Sequence, residues 1–229
     1  FAVDLGFDGY PSMQKAMREM VLNRLTSVQR IEVANNRFGD QDVVSMVLHS
    51  DMEKLLHSGA IYDPNDPEVF AFQRICMEKL YEYNLLRPSQ QDLRDKMLKE
   101  MFAEIGEGCY IEPPLHANWA GHHVHLGRDV YFNFNVTLVD DTDIYIGDNT
   151  MVGPNTVIAT AGHPICPQIR EKGGQFNLPV HIGRNCWLGA GVIVLPGVTI
   201  GDNTVIGAGS IVTRDIPSGV VAVGNPCRV

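Results

Sequence analysis

The stretch Ile182-Gly183-Arg184-Asn185-Cys186-Trp187-Leu188-Gly189-Ala190-Gly191-Val192-Ile193-Val194-Leu195-Pro196-Gly197-Val198-Thr199-Ile200-Gly201-Asp202-Asn203-Thr204-Val205-Ile206-Gly207-Ala208-Gly209-Ser210-Ile211-Val212 decides the fold. An aliphatic residue stands at 182, 188, 194, 200, 206 and 212, six apart each time, and Gly follows at 183, 189, 201 and 207. A half-buried strand alternates every two residues and a helix repeats every 3.6, so neither produces a strict period of six. A parallel β-helix does. Three such hexads close one triangular coil of about 18 residues. The aliphatic side chain points inward and stacks on its counterpart one coil away, and backbone groups pair between coils. Gly and Asn take the corners, where tight turns often need positive φ.

Outward from this stretch the period persists at 146, 152 and 158, and at 126, 132 and 138. The corners read Gly147-Asp148-Asn149 and Gly201-Asp202-Asn203. Between 138 and 146 the step is eight, a local insertion. Between 158 and 182 it is 24, and Pro164, Pro167, Arg170, Glu171, Lys172 and Gly173-Gly174 do not fit a regular coil. The reading is a loop over about 164–179 thrown out from one corner. A long loop on a rigid scaffold is a usual place for a binding site.

Before residue 106 Gly is sparse and the patterns are helical. A short helix over 51–58 ends at Gly59. Asp66 serves as N-cap with Pro67 at the first helical position, and that helix runs to about Leu86, ahead of Pro88. Ser89-Gln90-Gln91-Asp92 resembles a capping box that opens a further helix. Met13, Met17, Met20, Val21, Leu25, Val28 and Ile31 predict an amphipathic packing helix over 12–33. The organisation is thus an extension over 1–50, a helical unit over 51–105, and an all-β solenoid over 106–229.

Composition bounds the function. The chain has 229 residues, 27 Asp plus Glu against 18 Lys plus Arg, and a net charge of −9. That balance, without a basic run, argues against nucleic-acid binding. No apolar run approaches the roughly 18 residues that span a bilayer, and no basic region followed by an apolar stretch opens the chain, so neither a membrane segment nor a signal peptide is read. Five cysteines without a CxxC fit free thiols in the cytoplasm.

Several short motifs go beyond the hexad. They are Ser58-Gly59-Ala60-Ile61-Tyr62-Asp63, Glu112-Pro113-Pro114, Asn133-Phe134-Asn135, Val139-Asp140-Asp141, Gly162-His163-Pro164 and the tail Gly224-Asn225-Pro226-Cys227-Arg228-Val229. With them, residues 51–229 resemble the maltose/galactoside O-acetyltransferase group of the hexapeptide acyltransferases. The resemblance implies a left-handed β-helix, a homotrimer with active sites between subunits, acetyl-CoA as co-substrate and a sugar hydroxyl as acceptor. Residues 1–50 inherit nothing from it.

Acetyl transfer to a hydroxyl needs a base, a donor for the oxyanion and alignment of the two substrates. His163 is the base that the Gly-His-Pro motif implies; imidazole exchanges a proton near neutral pH. Asn133 and Asp141 match acceptor-side positions. Asp63 does so less firmly, because the alignment there is uncertain by a residue. Gln175 matches an acceptor-contacting loop position that varies among relatives, so the acceptor sugar stays open. On the donor side, the small Ala190 and Ala208 let pantetheine approach the backbone, and the Ala190 N–H is the candidate oxyanion donor. Thr213, Arg214 and Arg228 fall where CoA phosphates would be met, and Trp187 where an aromatic lies near the thioester.

Rival readings are a non-sugar acceptor such as serine or a xenobiotic, and a trimeric scaffold without turnover. Zinc at His122, His123, His125, His163 or His181 is disfavoured, since no His pair has the five-residue spacing of the β-helical carbonic anhydrases. No metal is required. Cys166 lies near His163, but in a variable loop, so direct transfer is preferred over an acyl-cysteine.

Overall fold

Ile182 pairs in register with Ile200, Leu188 with Ile206 and Val194 with Val212, so eighteen residues close one coil. The computed structural model describes residues 53–229; the helix expected over 12–33 lies outside them. Parallel strands of two or three residues build three sheets, the faces of a solenoid. The first face holds Glu104–Ile105, Val124–Leu126, Ile144–Ile146, Val180–Ile182 and Thr199–Ile200. The second holds Tyr110–Ile111, Tyr131–Phe132, Met151–Val152, Trp187–Leu188, Val205–Ile206 and Val221–Ala222. The third holds His116–Ala117, Thr137–Val139, Val157–Ala159, Ile193–Val194 and Ile211–Val212.

The hexad side chains fill the interior. Leu126, Ile146, Ile182 and Ile200 form one column, Ile111, Phe132, Val152, Leu188, Ile206 and Ala222 a second, and Leu138, Ile158, Val194 and Val212 a third, each residue at most 3% exposed. Burying one such side chain stabilises the fold by about 1.5–3 kcal/mol. The repeat reaches one coil earlier than the period alone indicated, since Ile105 and Ile111 pair with Leu126 and Phe132.

Glycine at the first corner has a reason other than the positive φ expected there. The left-handed conformation belongs to Asn149, Asn185 and Asn203, with φ of 59°, 54° and 58°. The glycines instead permit coil-to-coil contact: a Cβ on Gly147 would lie 2.6 Å from the Arg184 amide nitrogen. Asn tolerates that conformation better than other side chains.

Coil length varies at one corner only. Pairing partners are 21 residues apart from Ile105 to Leu126, 20 from Leu126 to Ile146, and 36 from Ile146 to Ile182. Every extra residue lies between the third face and the first. Three successive insertions, 118–123, 140–143 and 160–179, therefore stack at one corner.

The helices close the N-terminal end. A helical turn at 53–56 is followed by Gly59 at φ +68°. Helix α1 (Pro67–Asn84) opens with the Phe70 amide bonded to the Asp66 carbonyl and stops two residues short of the Leu86 expected. Its end is fastened to the first coil: the Tyr83 hydroxyl donates to the Ile111 carbonyl at 2.7 Å, and Asn84 exchanges two hydrogen bonds with the Leu115 backbone. Helix α2 (Gln91–Met101) is capped by Gln90, not Ser89. The capping box does not form, since the helix begins one residue later than that box requires, and the Gln90 side chain accepts from the Arg87 amide at 2.9 Å. Leu56–Val229 form one compact unit. No helix among the described residues is long and apolar enough to cross a membrane.

Candidate active site at the insertion corner

The first insertion is a turn held by Asp140. One carboxylate oxygen accepts from the Trp119 amide and the other from the Gly121 amide, both at 2.8 Å. Asp140 is fully buried, and that burial pushes its carboxyl up to about 6, although both amides pull it down. Its backbone carbonyl accepts from His123 Nδ1 at 2.7 Å.

The turn supplies partners for the next residue, Asp141. Asn118 Nδ2 donates to Asp141 Oδ2 at 2.9 Å, while Oδ1 accepts from Gln175 Nε2 at 3.2 Å and Trp119 Nε1 at 3.4 Å. Three donors from two chain segments thus fix the orientation of one carboxylate.

The third insertion is a hairpin. Ala161–Gly162 pairs antiparallel with Phe176–Asn177, and helix α3 (Pro167–Arg170) sits in the excursion between them. His163 leaves the first strand of this pair with its ring exposed. His163 Nδ1 lies 2.9 Å from the Gly174 carbonyl oxygen. A carbonyl only accepts, so Nδ1 carries the proton of the neutral ring and Nε2 presents a lone pair.

The Tyr62 segment is stitched to the same hairpin. Its backbone exchanges two hydrogen bonds with that of Gln175, at 2.8 and 2.9 Å. The Tyr62 hydroxyl is buried and accepts from Gln175 Nε2 at 2.6 Å and Asn177 Nδ2 at 3.1 Å. Burial pushes the phenol up to about 12, so it stays protonated near neutrality. Asp63 is exposed, and its carboxylate accepts from the backbone and side chain of Asn65, shaping the turn into α1. Gln175 is 8% exposed, with its nitrogen shared among Tyr62, Asp141 and Asn177.

So the insertion corner gathers His163, Asp141 and Gln175. Asn133 is elsewhere. It follows Phe132, at the corner between the second and third faces, and its Oδ1 accepts from the Phe134 amide at 2.8 Å. Ala190 and Ala208 lie at that same corner, two and three coils on, joined by the Gly209 amide donating to the Ala190 carbonyl. Both alanines are exposed, and neither amide donates to a backbone carbonyl among the described residues. Trp187 projects from the second face and is exposed. Thr213 and Arg214 are exposed at the insertion corner of a later coil. Arg228 is exposed and donates to the Cys227 carbonyl.

The histidines weighed for zinc are spread out. His125 and His181 stack on either side of Tyr145 on the first face, at 4.5 and 4.8 Å, while His122 and His123 lie in the first insertion. Cys166 is exposed, and its thiol donates to Gln168 Oε1 at 3.0 Å.

Sequence reasoning did not single out Asn118, Trp119, Asp140, Tyr62 or Asn177. Asp140 and Tyr62 lay inside motifs quoted for their neighbours. Asn118 and Trp119 fall in the step that breaks the hexad before Leu126, and that break was the available signal. Asn177 carries no local signal.

Known proteins resemble this chain in sequence and fold. The maltose acetyltransferase hexapeptide capping motif matches residues 56–106, and the bacterial transferase hexapeptide (six repeats) matches 179–214. The chain is 52% identical over 176 residues to a galactoside O-acetyltransferase of Lactococcus lactis, covering 77% of this chain and 85% of that one. It is 49% identical over 150 residues to the galactoside O-acetyltransferase of Escherichia coli, covering 66% and 73%. A solved maltose O-acetyltransferase from Clostridium difficile superposes with a TM-score of 0.75 at 41% identity, covering 78% of this chain and 95% of that one. A galactoside acetyltransferase in complex with coenzyme A gives 0.75 at 43% identity, covering 78% and 88%. With a hexad solenoid, a capping helical unit and relatives this similar over most of their own length, the chain belongs to the maltose/galactoside acetyltransferase family of hexapeptide-repeat transferases.

Proposed function

We propose that the protein is an acetyl-CoA-dependent O-acetyltransferase acting on a sugar or glycoside hydroxyl, by direct transfer in a ternary complex. The observation that carries the reading is the His163 Nδ1 contact to the Gly174 carbonyl at 2.9 Å, which leaves Nε2 as the proton acceptor. In this reading Nε2 takes the hydroxyl proton as the oxygen attacks the thioester carbon. The oxyanion that forms is met by the Ala190 N–H. Collapse breaks the carbon–sulfur bond, and the departing thiolate takes the proton back from the imidazolium. Asp141 holds an acceptor hydroxyl, and Arg214 and Arg228 meet the CoA phosphates.

The same reading assigns a homotrimer with sites between subunits. Asn133 and Asp141 sit at opposite ends of one side of the coil, with Thr137–Val139 between them. At about 3.3 Å per residue that side spans roughly 15–20 Å, too far for both to touch one acceptor within a single chain. A neighbouring copy that brings its Asn133 and Ala190 corner to this His163 corner completes the constellation. An exposed stripe of Tyr110, Met151, Trp187 and Val221 on the second face supports such an assembly. The cytoplasm is the assigned compartment, consistent with five unpaired cysteines, Cys76, Cys109, Cys166, Cys186 and Cys227.

The test is CoA thiol release from acetyl-CoA with maltose, glucose, galactosides, chitin fragments, serine and chloramphenicol. Sugar-dependent release supports the reading. Release confined to serine or chloramphenicol moves the acceptor class, and CoA binding without release on any acceptor overturns the enzymatic reading.

A further inference from the structure

The polar network behind Asp141 is more elaborate than anchoring one hairpin requires. Tyr62, Gln175 and Asn177 are all buried, at 7%, 8% and 2% exposure. Asn177 Nδ2 is shared among the Leu56 carbonyl, the Tyr62 hydroxyl and the Asp141 carbonyl, at 3.1, 3.1 and 3.2 Å. Its Oδ1 accepts from Gln175 Nε2 at 3.2 Å and from the Tyr62 hydroxyl at 3.4 Å. One hydroxyl therefore touches both amides, and both amides touch Asp141, one at its carboxylate and one at its backbone.

We propose that Tyr62 is a positioning residue for Asp141, acting through the side-chain amides of Gln175 and Asn177. The proposal rests on the reading of Asp141 as the acceptor-side carboxylate. An amide side chain has two faces of similar shape and opposite polarity. Turned one way, Gln175 offers its N–H to Asp141; turned the other, it sets a carbonyl oxygen against the carboxylate. The Leu56 and Asp141 carbonyls hold Asn177 Nδ2, so the tyrosine hydroxyl donates to Asn177 Oδ1 and leaves its oxygen to accept from Gln175 at 2.6 Å, which favours the first orientation. Buried polar groups of this kind are costly when half satisfied, so the selection is strong. Gln175 in this role orients the acceptor site from behind and does not itself touch the acceptor.

Tyr62→Phe keeps the ring and removes the hydroxyl. The acceptor KM is expected to rise about tenfold, with the acetyl-CoA KM unchanged, as loss of one buried hydrogen bond to a charged site implies. On a Gln175→Met background the same change is expected to add clearly less, about threefold or under, because only the route through Asn177 remains. Equal rises in both KM values, or an undiminished effect on that background, overturns the proposal. A second measurement is independent of turnover. In the folded wild-type protein the Gln175 side-chain amide should be slow to exchange by NMR, and in Tyr62→Phe it should exchange at the rate of a solvent-exposed glutamine. An unaltered amide overturns the proposal. If wild-type protein acetylates no sugar, the functional reading fails by itself, and this amide measurement still decides the role of Tyr62.

Discussion

His163 and Gly174 stand eleven residues apart in the chain and meet across the neck of the hairpin, Nδ1 to carbonyl oxygen at 2.9 Å. The bond does for the imidazole what a carboxylate does in other base pairs: it sets the tautomer and the ring orientation. A backbone carbonyl adds no net charge, so the ring is oriented without a neighbouring anion.

Removing the base tests the chemistry directly. His163→Ala is expected to lower sugar-dependent turnover by about 10²–10⁴-fold, while calorimetry shows CoA binding within about twofold of wild type. Near-normal turnover in this variant ends the assignment of His163 as general base.

The Asp141 carboxylate is surrounded by donors from Asn118, Trp119 and Gln175. Asp141→Asn sets an amide N–H against at least one of them. We expect the acceptor KM to rise by at least about tenfold, with a destabilisation of about 1–3 kcal/mol for a buried unsatisfied group. Steady-state kinetics and a urea titration read the two effects separately.

The corner geometry predicts an inequality. Gly147→Ala brings a Cβ to 2.6 Å from the Arg184 amide nitrogen, a backbone atom of the next coil. Asn149→Ala only asks alanine to hold φ near 59°, at about 1–2 kcal/mol. Gly147→Ala should therefore be the more destabilising of the two in parallel denaturant titrations. The reverse order would show that the coils separate easily.

Stability should carry an acid-side signature from Asp143. Partial burial pushes its carboxyl up, but hydrogen bonds from His57 and His125 outweigh this and hold it down at about 2. A carboxyl lowered in the folded state contributes stability that is present above its ordinary value of 3.8 and lost as pH falls through about 2. The difference in Tm between wild type and Asp143→Asn should be fully present above about pH 5 and close between about pH 4 and pH 2. A gap that stays constant over that range would remove Asp143 from the account.

The solenoid was legible in the sequence because its information is local and repeated. Each hexad states the same thing, an inward aliphatic residue and a corner, and the repetition outweighs any single exception such as Ala117 or Ala222. The excursion over 164–179 was legible by the same means, as the place where the rule stopped. The capping box at Ser89 does not form because the helix starts at Gln91, which puts Gln90 and not Ser89 at the N-cap position. At the first corner glycine answers to contact between coils separated by tens of residues, which is invisible in a six-residue window, whereas Gly191 and Gly209 at the corner between the second and third faces do hold positive φ.

By itself the sequence determined the period, hence the coil, hence which residues face inward and where the coil is interrupted. It also marked, through short motifs, His163, Asp141 and Asn133 as candidate site residues. Only the tertiary structure decided how these are distributed. Insertions at 118–123, 140–143 and 160–179 share a corner because eighteen-residue closure brings every third hexad boundary into line. That alignment places Asn118, Asp141 and Gln175 in one network and sets Asn133 a full side of the coil away. Distances of this kind depend on how coils stack, and stacking is a property of the closed solenoid, not of any one repeat.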